Sequence, residues 1–521
     1  MTRMAAPRHF VVLGGGAAGL SAAYHLLRSA SATQPRVTLL EAAGRVGGWV
    51  RSEQVPLADS KEGTILCETG PRTLRPAGAA GIATLQLVNE LGLADQLLTV
   101  PHTAPAARNR YIYGDGRLHL LRPLSILRSS YVRPAVLSAM AGPLRGSSKP
   151  AAGDESLYAF VARHFSPMLA ERVVSAVVSG IYAGDIHELS VRACANRLWR
   201  LERDHGSFLR GLLNPQPAKK QQEAPEVLQA RALRDVLRAS GSPASVQAAV
   251  NASVYSFRGG MQTLTDALVE RMQREWPDQF ELRLHCRAQS VQVQPDGIEV
   301  RHTGGEGRST RADHVISALP AGIMRTLVET QDRPLPALAE IGKTSANVAV
   351  VNLTYSGRLN IPDGFGYLIP ATVADTIALG VVFDSHTLPE QDGGLAITRL
   401  TVMLGGRQRW SDALDTMSEA DFISQAQRTV REHLGVDMLP LDARAHVQRK
   451  CIPQYRVGHV TLLQQLHNEL AQHYGGRLSL TGASYLGVSL NDCIWRAQQL
   501  AKRLSAGTDS TVTGLEAASM L

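Results

Sequence analysis

Six residues near the start of the chain constrain it most. Gly14-Gly15-Gly16-Ala17-Ala18-Gly19 follows a short apolar run, residues 9–13, and opens an alanine- and leucine-rich stretch, residues 17–29. The run reads as a buried strand and the stretch as a helix. Residues 37–40 read as a second apolar strand ending at Glu41, which completes a βαβ unit. Gly14 permits a tight turn, Gly16 lets the backbone approach a pyrophosphate, and Gly19 lets helix and strand pack closely. The phosphates then rest on free N–H groups at the helix N-terminus. Glu41 stands 22 residues after Gly19, where an acid accepts hydrogen bonds from ribose hydroxyls. Strand, helix, second strand and acid in this register point to a dinucleotide site.

The rest of the chain must complete that unit. At 521 residues it is long enough for two or three domains. Hydrophobic residues make up 44% and charged residues 19%, a globular composition. The net charge of +8 favours acidic partners: an anionic membrane, a carboxylated substrate or nucleic acid. No dense Lys/Arg tract or zinc-finger spacing supports nucleic acid, so none is expected. Cys67, Cys194, Cys286, Cys451 and Cys493 are scattered without ligand spacing, so neither a disulfide framework nor a metal site is expected. Residues 1–8 are too short for a cleavable leader, and no apolar run reaches 18 residues.

Residues 63–81 read as loop, and 83–98 as a helix with Leu85, Val88, Leu91 and Leu93 near one face. Residues 116–153 hold no Asp or Glu. They carry Arg117, Arg122, Arg128, Arg133, Arg145 and Lys149 among apolar residues. Two readings stand: an anionic-membrane surface, or a solvated, basic helical hairpin packing on its own domain. Residues 214–252 read as a polar surface excursion. Strands are expected at 254–257, within 281–300, and at 314–319, 348–353, 366–369, 379–383, 398–404 and 477–480. The last ten or so residues are expected to fray.

Arg45-Val46-Gly47-Gly48 follows Glu41, and a strand-end glycine recurs in Leu480-Thr481-Gly482-Ala483-Ser484. Both resemble elements of two-dinucleotide-domain flavoproteins of the amine oxidase type. In that type the second element closes over the flavin, so the cofactor domain is discontinuous in sequence. With one nucleotide site, the resemblance implies one tightly held, non-covalent FAD and oxygen as electron acceptor.

Further segments resemble the oxygen-dependent protoporphyrinogen oxidase family of the animal mitochondrial type. They are VVLGGGAAGLSAAYHL, GRVGGWVRS, Glu68-Thr69-Gly70-Pro71-Arg72, Arg75-Pro76-Ala77-Gly78, Ala107-Arg108-Asn109-Arg110, SGIYAGDIHELSVR and DHVISALPA. The C-terminal half adds VAVVNL, GFGYLIP, TVMLGG, CIPQY and GASYLGVSLNDC. They run in family order over nearly the whole chain.

The resemblance implies a doubly wound α/β FAD-binding domain, a strand-rich substrate domain and a helical membrane-associated domain. The expected boundaries are 1–100, 253–318 and 446–521 for FAD binding, 101–213 for the helical membrane domain and 319–445 for the substrate domain. It implies six-electron oxidation of protoporphyrinogen IX to protoporphyrin IX with three O2, releasing hydrogen peroxide in haem synthesis. The aromatic product makes the reaction downhill, so no acid, base or nucleophile is required, and none is found. Arg110 would pair with a substrate propionate, as a guanidinium suits a carboxylate. Phe365 and Leu368 would clamp the tetrapyrrole, Met403 would line the opposite side, and Gly180 would bring a carbonyl to the reacting carbon. Flavin contacts would come from Gly14, Gly15, Gly16, Ala17, Ala18, Gly19, Glu41, Ala42, Arg45, Gly48 and Trp49. Others would come from Gly70, Pro71, Arg72, Thr73, Arg287, Ala483, Val488, Ser489 and Leu490. Peripheral attachment to the mitochondrial inner membrane, a homodimer and a ferrochelatase contact are implied as well.

The chain departs from the family at 51–68, which looks longer and more polar, and at 214–252. Leu486 stands where an acid is expected, and Arg287 where a small apolar residue is usual. An amine oxidase is the main rival, but Lys343 is the only lysine of the central strand-rich region, and Tyr485 and Trp495 are poorly spaced for an aromatic cage. Carotenoid desaturases lack the GFGYLIP-like cage. Coproporphyrinogen is an alternative substrate, and an escort-type binding protein is the non-enzymatic rival.

Overall fold

The computed structural model describes residues 8–29, 34–57, 63–140, 153–206, 225–239, 241–304, 308–328, 334–406, 414–507 and 511–521. A parallel sheet runs in the order Leu478–Leu480, His314–Ser317, His9–Leu13, Arg36–Leu40, Phe280–Arg283. His9–Leu13 lies inside it, which is why its residues are apolar in succession. Alternate side chains point to opposite faces: Phe10 and Val12 enter one core, Val11 and Leu13 another. Helix Ala17–Arg28 packs in the first core with the last long helix, Leu490–Ala506. Helix His459–Tyr474 packs in the second core, so both faces are covered, the doubly wound arrangement.

A second, mixed sheet runs Asp442–Pro453, Ser345–Ser356, Ile397–Gly405, Ala378–Phe383, Gly366–Leu368, Tyr111–Gly114, Arg117–Leu120. Helix Glu419–Leu434 lays Phe422, Ala426 and Val430 into a core with Val351 and Val402. Helices Leu157–His164 and Asn196–His205 belong to a helical third part with its own small core around Phe160 and Val191.

Several expectations need correction. Residues 83–98 are not one helix. The helix is Gly78–Glu90; Gly92 takes φ +76°, and Leu97–Pro101 leaves as a strand that pairs with Ala252–Phe257. The loop expected at 63–81 contains strand Thr64–Glu68, paired with Ser52–Pro56. The basic stretch from 116 begins as half of a hairpin in the substrate-side sheet. Asp115 and Gly116 both take positive φ, +47° and +72°, the two-residue Asp-Gly turn that hairpins favour. Helices Pro123–Arg128 and Val132–Met140 follow, while Arg145 and Lys149 lie outside the described residues.

Within 214–252, helix Pro225–Ala239 is mostly exposed but sets Leu237 into the first core, and Val246, Ala249 and Val250 are buried there too. The tail does not fray over its described part. Val512, Thr513, Leu515 and Ala518 are buried, and Thr513 O accepts from Leu480 N at 2.8 Å. Beyond residue 319, helices Ala321–Val328 and Pro336–Ile341 pack in the nucleotide-side core. Strand Asp442–Pro453 carries the second sheet past 446. No helix among the described residues is long and apolar enough to cross a membrane.

Candidate active site

The glycine turn has the geometry a pyrophosphate needs. Gly14 takes φ +97°, and a β-carbon on Gly19 would overlap the Gly14 carbonyl oxygen, so helix and strand meet backbone to backbone. The space beside Gly16 is open, its nearest neighbour being Gly48 Cα at 4.0 Å. Gly16 caps helix Ala17–Arg28 with no side chain on the first N–H groups, so Ala17 and Ala18 present them with the positive end of the dipole. Gly47 and Gly48 face this turn with φ +103° and +60°, and Gly47 N donates to Gly15 O at 2.8 Å. The Arg45 guanidinium donates to the Val46, Gly48 and Val50 carbonyls and thereby folds the second glycine loop. Ala42 is exposed beside Glu41.

Glu41 Oε2 accepts from Gly15 N and Oε1 from Ala43 N, each at 2.7 Å. A carboxylate has about four lone-pair sites, so about two remain for ribose hydroxyls. Arg287 N donates to the Thr303 hydroxyl at 3.0 Å, and its carbonyl accepts from Thr303 N at 2.9 Å. That N–H is therefore committed within the chain, and only the carbonyl retains a lone pair for an adenosine.

A second set of segments frames the other end. A β-carbon on Gly70 would strike the Trp49 carbonyl oxygen, which presses the turn of Pro71, Arg72 and Thr73 against the Trp49 segment. Gly482 takes φ +104° near Ala18 and Ala318. Tyr455 Oη donates to Ala483 O at 2.5 Å and accepts from Gly487 N at 2.9 Å, tying down the loop that carries Val488. Ser489 caps the helix that begins at Leu490, accepting from Asp492 N at 3.1 Å. Arg72 Nη2, Thr481 Oγ1 and Asn491 Oδ1 are buried on these segments without partners among the described residues. Open glycine turns, an uncapped helix start and orphaned polar atoms together suit a flavin dinucleotide. Buried polar atoms of this kind are otherwise costly.

Glu68 anchors the same turn. Its carboxylate accepts from Met261 N at 2.7 Å and from the Ser52 hydroxyl at 2.8 Å. Burial pushes its acid up to about 7, against the pull of those two donors.

The substrate-side residues fall into two contacts. The Arg110 guanidinium stacks on the Phe365 ring, 4.0 Å from its centroid. Burial, and then the charge of Arg75, press its pKa below the usual arginine value. No carboxylate pairs with it among the described residues. Leu368 packs on Gly180 so closely that a β-carbon there would lie 2.6 Å from Leu368 Cδ2. Met403 pairs across strands with Gly380, against which Leu368 also lies. Phe365, Leu368 and Met403 are each only partly buried, unlike the sealed core behind them.

The rival cage residues do not assemble. Lys343 is exposed and paired with Glu340, and Tyr485 and Trp495 belong to separate clusters. Leu486 is buried in the nucleotide-side core. Asp384, Thr401 and Asn352, which bind around the Arg72 turn, were not singled out from the sequence. Asp384 closes an apolar strand as Glu41 does, and that is the signal that points to it.

The model of the flavin containing amine oxidoreductase family matches residues 17–504. The chain is 37% identical to the protoporphyrinogen oxidase of Macaca fascicularis, over 95% of this chain and 98% of that protein. It is 32% identical to that of Schizosaccharomyces pombe, over 96% and 99%. A solved structure from Exiguobacterium sp. 255-15, 20% identical, superposes with a TM-score of 0.74 over 96% of this chain and 99% of that chain, a likeness of fold.

Proposed function

The chain belongs to the flavin-containing amine oxidoreductases and, among them, to the protoporphyrinogen oxidases, and on that premise we propose that it oxidises protoporphyrinogen IX to protoporphyrin IX. Three O2 are consumed and three H2O2 released for six electrons and six protons removed. The observation that carries the reading is the Arg110 guanidinium, with no carboxylate partner among the described residues, stacked on the partly open Phe365 ring. An amphiphilic, carboxylated ring system matches that surface.

Bound FAD supplies the two-electron acceptor that oxygen then restores. The chain holds it through Gly14–Gly19, Glu41, the Gly47-Gly48 loop, the Gly70–Thr73 turn and Ala483–Leu490. Arg110 binds a propionate. Phe365, Leu368 and Met403 hold the macrocycle and keep water out. Gly180 leaves room for Leu368 and offers its carbonyl toward the ring.

Membrane attachment belongs to the same proposal, at the mitochondrial inner membrane. Helix Pro123–Arg128 buries none of its side chains; Leu124 is 76% and Leu127 58% exposed, with Arg122 and Arg128 at its ends. Leu137 and Met140 are exposed on the next helix. Apolar tips ringed by cations suit an anionic bilayer. Binding to anionic vesicles should weaken with salt, and Leu124→Ser with Leu127→Ser should weaken it about tenfold per leucine. Undiminished flotation of that variant would remove this face from the proposal. The domain division, a homodimer and a ferrochelatase contact complete the reading.

The deciding experiment adds protoporphyrinogen in air to the flavin-loaded protein and follows porphyrin fluorescence and peroxide. A flavin-dependent rate above autoxidation supports the reading. A rate only with coproporphyrinogen, or only with amines, replaces it with the corresponding alternative.

A further inference from the structure

Asp384 joins the two halves of the site. It follows strand Ala378–Phe383 of the substrate-side sheet and opens the short helix Asp384–Thr387. Its Oδ1 accepts from Arg72 Nη1 at 2.8 Å, and its Oδ2 accepts from the Thr401 hydroxyl at 2.6 Å. Both side chains of the ion pair are nearly sealed, at 9% exposure for Arg72 and 14% for Asp384. Thr401 Oγ lies 2.9 Å from Asn352 Oδ1, and Asn352 Nδ2 donates to the Glu68 carbonyl at 3.2 Å. A hollow of about 10 Å³, room for one water, is lined by Glu68, Arg72, Asn352, Asp384 and Arg399.

A pair this buried is a poor stability device. The desolvation cost consumes most of the Coulomb attraction, and apolar residues of similar volume pack as well. What the pair does achieve is orientation. With Nη1 held by Asp384, the buried Nη2 of Arg72 is turned to where the described chain offers it no acceptor. The other side of Asp384 leads to the substrate. Phe383 N donates to Phe365 O at 2.9 Å, and Phe365 is the ring beneath Arg110.

We propose that Asp384 is a positioning residue that aims Arg72 Nη2 at the flavin ring and offsets its positive charge there, so that it sets how readily the flavin is reduced. The inference rests on the reading of Arg72 as a flavin neighbour. Removing the carboxylate charge takes away the ion-pair partner of Arg72, and a less compensated cation favours the anionic, reduced cofactor.

The test uses the full chain loaded with FAD and needs no porphyrinogen. The flavin midpoint potential and visible spectrum are compared for wild type, Asp384→Asn, Asp384→Glu, Thr401→Val and Arg72→Gln. Asp384→Asn should move the potential upward and alter the spectrum. Asp384→Glu, which restores the charge, should return both toward wild type. Thr401→Val keeps the ion pair but frees Oδ2, so it should shift the potential less, and it serves where Asp384→Asn fails to fold. If Arg72→Gln moves the potential while the Asp384 and Thr401 variants only lower the melting temperature, Asp384 is structural and the inference is overturned. If Arg72→Gln also leaves potential and spectrum at wild-type values, the reading of Arg72 fails first. Porphyrinogen turnover is judged separately from either outcome.

Discussion

The nucleotide end and the substrate end of the site both depend on glycine, in opposite ways. At the nucleotide end glycine is needed by the backbone itself. Gly14 has a positive φ, and Gly19 touches the Gly14 carbonyl. Nothing there can yield, because both partners are main chain. At the substrate end Gly180 meets the tip of Leu368, a side chain with rotamers to spare. The first region is a rigid cast for a constant ligand. The second is a set of side-chain contacts that can be retuned.

The sharpest break of that comparison is Gly19→Ala. It should abolish flavin retention, so that soluble protein, if recovered, is colourless; a yellow Gly19→Ala protein would contradict the rigid-cast account. Arg110→Ala comes next. A charged hydrogen bond contributes about 1.5–3 kcal/mol, so KM should rise about 10- to 100-fold with kcat little changed. Steady-state kinetics with unchanged KM would take Arg110 out of the site. Gly180→Ala should be milder, lowering kcat/KM several-fold at full flavin content, because Leu368 can rotate away. Loss of flavin in this variant would show that the two ends are not separable. Glu68→Gln should have the smallest effect. The folded Glu68 acid sits at about 7, above its ordinary value of 4.5. Its stabilising contribution is complete below about pH 4.5 and is lost as pH rises through 7. The amide variant should therefore show a flatter melting temperature between pH 5 and 8, and an unaltered slope would deny Glu68 its raised pKa.

The same contrast explains what the sequence disclosed. The glycine turn, Glu41 and the Gly47-Gly48 loop lie within some forty residues, and each is dictated by local backbone geometry. Their conformations could be read before any contact was known. The Arg72–Asp384 pair joins residues 312 apart, and no local pattern encodes such a meeting. Hairpin 111–120 was hidden differently. Its Asp-Gly turn was visible, but the basic stretch beyond it drew the reading toward helix. Strand Thr64–Glu68 and the packed tail were masked by turn-rich or small residues whose burial depends on partners elsewhere. The substrate residues were named through family likeness, since a lone Phe, Leu or Met in a strand carries no signal of its own.

The central sheet has a consequence for biogenesis. Its strands come from residues 9–13, 36–40, 280–283, 314–317 and 478–480, and the helix opening at Leu490 closes the cradle. On a ribosome, N-terminal glycines and C-terminal closure are separated by on the order of a minute of synthesis. The nascent chain therefore carries its opening βαβ unit without its sheet neighbours for most of that time. Cofactor capture becomes a late event that only the finished chain completes, and it stabilises that state by mass action. Scarcity of flavin in a cell should then appear as less of the protein, rather than as a full complement of slower molecules.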